Sequence, residues 1–439
     1  MSEEGLADWE ALAATTLFSR FVAQGSLIET ELVEAPAAAS LVDGRWAAVL
    51  RHERIPFVSY PYEWTFGMLK DAALLQLELI LAALDENLML KDASPYNVQW
   101  RGSNPVFIDV GSFERLREGE PWIGYRQFCS LLLYPLLLQA YKGAPFQPWL
   151  RGSVDGIEPR ECRSVMSLRD LLRRGVLTHV VLHSRFEARY GDRSRDVKRE
   201  LRSAGFGKEL IRANVRGMGK LVRRLEWEPD GSAWGDYRAS AHYSDDDAAR
   251  KAAFVREAVA ARRHRLVWDL GANDGFYSRI AAESADCVVA ADADRAVAER
   301  LYRSLRAEGS ANVLPLVLDI VDPSPGLGWK GRERKGFLER ERPDLTLCLA
   351  LLHHVVITRN VPVSEFLDML RSLGTSLVIE FPDREDVMVQ RLLAAKREGM
   401  HVDYSRESFE RELERAFAVE RSETLPSGTR TLYLAHPKR

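Results

Sequence analysis

The spacing of apolar positions changes near residue 228. From about 64 to 225 it is helical. Leu69–Leu90, LKDAALLQLELILAALDENLML, sets apolar residues on a broad face and predicts one long helix. SVMSLRDLLRRGVLTHVVLHSRFEARY predicts another, and LLLYPLLLQAY, too short to span a bilayer, predicts a buried one. The first sixty residues, as in RWAAVLRHERIPFVSY, read as more strand-like. A polar, turn-rich stretch follows near the change, EPDGSAWGDYRASAHYSDDDA. Beyond it, short apolar runs alternate with helical segments. Strands are predicted at Leu266–Leu270, Cys287–Asp292, Val313–Leu318, Leu345–Ala350 and Ser376–Phe381, with helices at Phe276–Glu283, Arg295–Ala307, Val363–Arg371 and Asp386–Arg397. This alternation predicts the α/β class, a parallel sheet covered on both faces. AFAVERSETLPSGTRTLYLAHP places two strands about a Pro-Ser-Gly turn, so the sheet is expected to finish in an antiparallel hairpin. The reading divides the chain into residues 1–228, α+β and mostly helical, and 229–439.

Composition narrows the function classes. A chain of 439 residues exceeds one ordinary core. Its 46% hydrophobic and 28% charged content is that of a globular protein. A net charge of −3 gives no general pull toward nucleic acid or an anionic membrane, so neither nucleic-acid binding nor membrane insertion is expected. The four cysteines, Cys129, Cys162, Cys287 and Cys348, are widely spaced, with no CxxC or Cys/His cluster. No metal site is expected from them, and a reduced, cytoplasmic setting fits. The start, MSEEGLADWE, lacks a signal-peptide pattern.

The chemistry gathers at predicted strand ends. LVWDLGANDGFYSRIA carries a strand ending near Asp269, a turn with Gly271, Asn273 and Gly275, then a helix. Gly permits positive φ and close approach to a ligand, and Asn tolerates the same backbone region. Open α/β sheets bind ligands at the carboxyl ends of strands. The next strand, CVVAADAD, reaches Asp292, 21 residues after Gly271. A carboxylate there can accept hydrogen bonds from both hydroxyls of a ribose. The third, NVLPLVLDI, ends in Asp319; the fourth, LTLCLALLHHV, runs into His353 and His354; the fifth, LVIEFPD, carries Glu380 and Asp383.

The spacing D-x-G-x-N-x-G resembles the nucleotide turn of class I S-adenosylmethionine (SAM)-dependent methyltransferases. The whole second half is similar to a bacterial group of these enzymes that includes rhizobial nodulation proteins. The resemblance rests on VWDLGANDGFYSR, LALLHHVVI, LVIEFPDREDVMVQRLL and DYSRESFE, and on the lead-in WGDYRASAHYSDDDAARKAAFV, with Trp234, Tyr237, Tyr243 and Lys251 in matching places. It implies a Rossmann-like sheet and SAM as cofactor. Asp269, Gly271, Asn273, Gly275 and Asp292 would cradle it, Asp319 would meet the adenine amino group and Ile320 the ring. The lead-in, with Tyr243, would fold over the cofactor. The acceptor would be a small molecule or glycan, methylated at oxygen or nitrogen.

Methyl transfer from a sulfonium is an in-line displacement. Holding the acceptor close and aligned can supply roughly 7–11 kcal/mol. A hydroxyl or protonated amine must also lose a proton, and a positioned base contributes on the order of 10²–10⁴-fold. His354 and His353 are the candidate bases because His titrates near neutral pH. One of them as a packed, site-shaping residue is the competing reading. Glu380 could orient the base, bind acceptor hydroxyls or serve as an ion-pair partner. Tyr404 could close the site or sit in a surface loop.

The first half holds a second pattern. LKDASPYN gives Asp92 and, five residues on, Asn97; PVFIDVGSF gives Asp109 twelve residues later. The order resembles that of protein and aminoglycoside kinases, where such residues serve as base and magnesium ligands. The residues before Asp92 are Leu90 and Lys91 in place of the usual His-Arg or His-Gly. The first sixty residues lack both a G-x-G-x-x-G loop and any Lys. A degenerate kinase-like scaffold that binds the acceptor or a protein partner is the leading expectation. A working kinase in a bifunctional enzyme and an unrelated helical accessory domain are the alternatives.

Overall fold

The computed structural model describes residues 1–34, 46–185, 207–228 and 244–438. It divides into two units. The first comprises Met1–Ile55, Ser59–Trp100 and Asn104–Glu228; the second comprises Pro56–Val58, Arg101–Ser103 and Pro229–Arg439.

The first unit opens on two helices, α1 (Glu3–Ala13) and α2 (Thr16–Ala23). Each starts at a hydroxyl cap: Ser2 accepts from Gly5 N, and Thr15 from Phe18 N. Among the described residues, the strand-like expectation for the first sixty thus holds for a short antiparallel pair, β1 (Thr30–Leu32) with β2 (Leu50–His52). The long helix is α3 (Phe66–Asp85), buried along most of its length. It stops five residues short of the expected Leu90. Asn87 takes φ +57, ending the helix, and β3 (Leu88–Leu90) turns to pair antiparallel with β6 (Phe113–Arg115). Between them lie β4 (Val98–Arg101) and β5 (Asn104–Phe107). The apolar LLLYPLLLQAY run is buried, as a π-helical turn Cys129–Leu133 leading into α4 (Tyr134–Lys142). The next expected helix is broken instead. Gly175, at φ +80, separates the 3-10 segment Leu168–Leu172 from the π-helical Val176–Leu182. The unit's last described helix is α5 (Lys208–Arg223).

The second unit begins its described part with α6 (Asp245–Ala260), capped by Ser244. Strands and helices then alternate: β7 (His264–Leu270), α7 (Phe276–Ala282), β8 (Ala285–Asp292), α8 (Arg295–Glu308), β9 (Val313–Val317), β10 (Leu345–Cys348), α9 (Val363–Ser372), β11 (Ser376–Pro382), α10 (Val387–Ala394), α11 (Arg406–Ala416), β12 (Phe417–Thr424) and β13 (Arg430–Pro437). The sheet order is β12-β13-β11-β10-β7-β8-β9. The pairs from β11 through β10, β7 and β8 to β9 are parallel. The last hairpin is antiparallel, and its second strand β13 lies between β11 and β12. The order reverses direction between β7 and β10, which opens a crevice at their carboxyl ends. The parallel strands are apolar on both faces because helices cover both; Val267, Val288, Leu347 and Val378 are buried.

All four cysteines are buried free thiols. Among the described residues no helix is long and apolar enough to cross a membrane.

Candidate functional site

The carboxyl ends of β7, β8, β9 and β10 surround a cavity of about 610 Å³, a size suited to a small-molecule ligand. Its floor is the turn after β7. Gly271 (φ +76), Asn273 (φ +46) and Gly275 (φ +74) all adopt left-handed backbone. A side chain would be strained at both glycines by the positive φ and crowded most at Gly275. A Cβ at Gly275 would stand 2.5 Å from Leu301 Cδ1, and one at Gly271 3.3 Å from Leu351 Cδ1. The turn is tied to the next strand, since Gly271 N and Ala272 N both donate to the Ala291 carbonyl. Asn273 N donates to Asp292 Oδ2 at 2.9 Å, and Asp294 N to Asp292 Oδ1 at 2.9 Å.

Asp292 and Asp269 are both nearly enclosed. Burial pushes each carboxyl up to about 6, against the two backbone donors at Asp292 and the Ser278 hydroxyl at Asp269, whose Oγ–Oδ2 distance is 2.6 Å. Because the folded values exceed the ordinary carboxylate value, the fold binds more protons than the unfolded chain between about pH 4 and 6. Their contribution to stability is therefore present below the unfolded value and is lost as pH rises through about 6. We expect the unfolding temperature of the wild type, relative to Asp292→Asn, to fall as pH is raised from 5 to 7. Parallel pH profiles for the two proteins in differential scanning calorimetry would refute that assignment.

The lining is acidic. Asp245, Asp269, Asp274, Asp292, Asp294 and Asp319 face the cavity, with Lys251 and Arg359 the cations among its described lining residues. Both cations are already engaged. Arg359 meets Asp319 at 2.7 Å, and Lys251 meets Glu380 at 2.6 Å. The cavity therefore favours a ligand carrying positive charge. Ile320 lines it beside Asp319.

The two histidines part company. His354 is on the cavity wall; His353 is not among the lining residues and is fully buried, its ring 4.1 Å from that of His354. Neither ring nitrogen of His353 has a hydrogen-bond partner among the described residues. Burial holds His353 well below its ordinary value and brings His354 down to about 4, so both are neutral at pH 7.

Glu380 is fully buried at the end of β11 and lies outside the lining. It accepts from Lys251 Nζ, from Arg430 NH1 at 3.1 Å and from Ala350 N at 2.8 Å. Arg430 also grips Asp386 with two bonds, 2.7 and 3.1 Å. Tyr404 is buried as well, stacked on Phe381, with its hydroxyl donating to the Pro382 carbonyl at 2.8 Å. Tyr243, Trp234 and Tyr237 lie outside the described residues. Sequence reasoning passed over Ala350, Arg359 and Arg430. The one visible hint was a charged residue opening an otherwise apolar strand, Arg430.

In the first unit Asn97 Nδ2 reaches Ser112 Oγ at 3.4 Å, and that hydroxyl donates to Asp109 Oδ2. Ser112 thus bridges the two. Asp92 caps its own loop by accepting from Ser94 N at 2.9 Å.

No family model matches the chain. It is 34% identical over 427 residues to nodulation protein NoeA of Rhizobium meliloti (strain 1021), covering 97% of this chain and 89% of that protein. Among solved structures it is similar to the N-methyltransferase NodS from Bradyrhizobium japonicum WM9, at 12% identity and TM-score 0.33, over 44% of this chain and 99% of that one. It is also similar to magnesium protoporphyrin IX methyltransferase (ChlM) from Synechocystis PCC 6803, at 15% identity and TM-score 0.33, over 51% and 94% of the two chains.

Proposed function

We propose that this chain, which belongs to the NoeA family of nodulation proteins, is a methyltransferase that moves a methyl group from SAM to the oxygen or nitrogen of a small-molecule or glycan acceptor. One observation carries the reading: strand ends converge on a single cavity whose floor is a left-handed glycine-containing turn tied to the Asp292 carboxylate. The residues suit the cofactor. Asp292 stands at the tip of β8, where a carboxylate accepts from ribose hydroxyls. Gly271 lines the cavity without a side chain, and Gly275 lets the turn pack against Leu301 of α8. The surplus of aspartates suits a ligand bearing a sulfonium and an ammonium group.

SAM, when bound, supplies the methyl group on a cationic sulfur. The protein's own contribution is placement and proton handling. Asp292 and the glycine turn would fix the ribose, and Asp319 with Ile320 the base. Leu349, Ala350 and Leu351 wall the cavity beside Asp269. His354, neutral at pH 7, would accept the proton an acceptor hydroxyl or ammonium gives up.

Titration calorimetry with SAM and with S-adenosylhomocysteine tests the binding half of the proposal. Micromolar binding of both is expected, and an absence of heat with either ligand would sink the reading. For His354→Asn we expect cofactor affinity within about threefold of wild type and a fall in kcat on the order of 10²-fold. An unchanged kcat removes His354 from the proton step.

A further inference from the structure

The loop that carries His354 leaves β10 through Ala350, whose φ of +51 lies in the left-handed region that strains any residue with a Cβ. A strained residue persists only where its surroundings over-determine it. Here the determining contact is visible: the backbone N–H of Ala350 donates to Glu380 Oε2 at 2.8 Å. We propose that Glu380 is a positioning residue that holds Ala350 left-handed and thereby sets the path of the Leu349–His354 loop over the cavity. Its bearing on catalysis rests on the methyltransferase reading above.

Three further observations support this role. First, Glu380 has little capacity left for an acceptor. Its two oxygens already take Ala350 N, Lys251 Nζ and Arg430 NH1. Lys251 and Arg430 against Glu380 and Asp386 make a mutually paired set of two positive and two negative groups. Such a set orients its members and offers no surplus charge to a ligand. Second, the loop Glu380 holds is in register with the cofactor turn. Leu351 packs where a Gly271 side chain would stand, and His354 N and Val355 N donate back to the Leu351 carbonyl at 3.0 and 3.2 Å. Rotating Ala350 out of the left-handed region would move Leu351 away from the glycine turn and His354 with it. Third, Lys251 ties the same carboxylate to α6 while itself lining the cavity above the Tyr277 ring, 4.8 Å away. Lys251 is the second positioning residue of the set, through Glu380.

The decisive experiment exploits glycine. Left-handed backbone costs Gly nothing, so Ala350→Gly should make the loop independent of its holder. Glu380→Gln offers one acceptor oxygen and one amide to three donors, so it cannot satisfy all of them. We expect Glu380→Gln to weaken S-adenosylhomocysteine binding by about tenfold or more when residue 350 is Ala and by less than about threefold when it is Gly, each compared with Glu380 in the same background. Additive effects of the two substitutions would overturn the proposal, because a merely structural role for Glu380 gives no rescue at residue 350. Amide hydrogen exchange on the unliganded wild type keeps the test open if Glu380→Gln fails to fold. Ala350 N–H should exchange at least about a hundredfold more slowly than an open-loop amide; exchange at the open-loop rate would overturn the proposal. A wild type that binds neither SAM nor S-adenosylhomocysteine would defeat the methyltransferase reading alone, and the exchange rate would then decide the role of Glu380 by itself.

Discussion

Asp292→Asn should weaken S-adenosylhomocysteine binding by about a hundredfold while leaving the protein folded. Hydrogen bonds to an ionised acceptor contribute about 1.5–3 kcal/mol each. The proposed ribose contact uses two, and Asn preserves one oxygen, so a net loss near 3 kcal/mol follows, about two decades in Kd. The carboxylate also does internal work. Its two oxygens accept separately from Asn273 N and Asp294 N, so an amide nitrogen at that position must face one of these donors. The glycine turn should loosen as well, which pushes the loss upward. Calorimetric titration measures the change, with circular dichroism to establish folding. A Kd within about threefold of wild type would remove the ribose contact from the proposal.

Arg430→Met should be the most destabilising of the single changes considered. Arg430 is buried and separates two buried carboxylates, bonding Glu380 with one nitrogen and Asp386 with two. Met fills much of the volume and supplies no charge. Glu380 keeps Lys251, but Asp386 loses both of its side-chain donors to a site from which water is excluded. Removing one member of a buried ion set typically costs about 3–5 kcal/mol, because the survivors stay desolvated and uncompensated. For a unit of this size that corresponds to a drop on the order of 10 °C in Tm. Asp386 also caps α10 by accepting from Met388 N and Val389 N, so that helix should fray in the variant. A double variant, Arg430→Met with Asp386→Leu, should recover part of the loss, since it removes the stranded charge. Scanning calorimetry of the second unit's transition checks both; a Tm shift under about 2 °C for the single change would contradict the ion-set picture.

Strand ends were legible in the sequence because a parallel strand buried on both faces is a continuous apolar run, and the first polar residue after it marks the tip. Asp269, Asp292 and Asp319 could be placed for that reason. The positive-φ turn was legible because Gly271, Asn273 and Gly275 are the residue types that tolerate it. What was illegible depended on distance along the chain. Lys251 and Glu380 are 129 residues apart, and Glu380 and Arg430 are 50 apart, so no local pattern pairs them. Ala350 carried no mark at all, since the strain lies in the backbone and alanine does not advertise it. The sequence ranks His354 ahead of His353 as the base without a strong local signal; adjacent residues on a turn point to different sides, and His354 is the one that lines the cavity.

The same limit explains the first unit. Asp85, Glu86 and Asn87 part Leu88–Leu90 from the leucine-rich helix, and Asn is a residue type that takes the left-handed backbone ending it, but the pairing with Phe113–Arg115 has no local signal. The spacing of Asp92, Asn97 and Asp109 was plain, whereas the Ser112 hydroxyl that bridges Asn97 and Asp109 was not. That serine follows Asp109 by three residues, a separation that brings side chains together only once a 3-10 turn forms at Val110–Ser112.

β13 follows every other described strand along the chain, yet it inserts between β11 and β12 rather than adding to an edge. Arg430 is its first residue, so until β13 has been synthesised Glu380 has only Lys251 and Asp386 lacks its guanidinium partner. The nascent chain therefore carries a sheet that is open at β11 and a pocket whose His354 loop lacks its final electrostatic support. Completion of the second unit should wait for β13 rather than proceed strand by strand. Nonsense alleles that stop after β12 should yield protein that is degraded, however much of the catalytic sequence they encode.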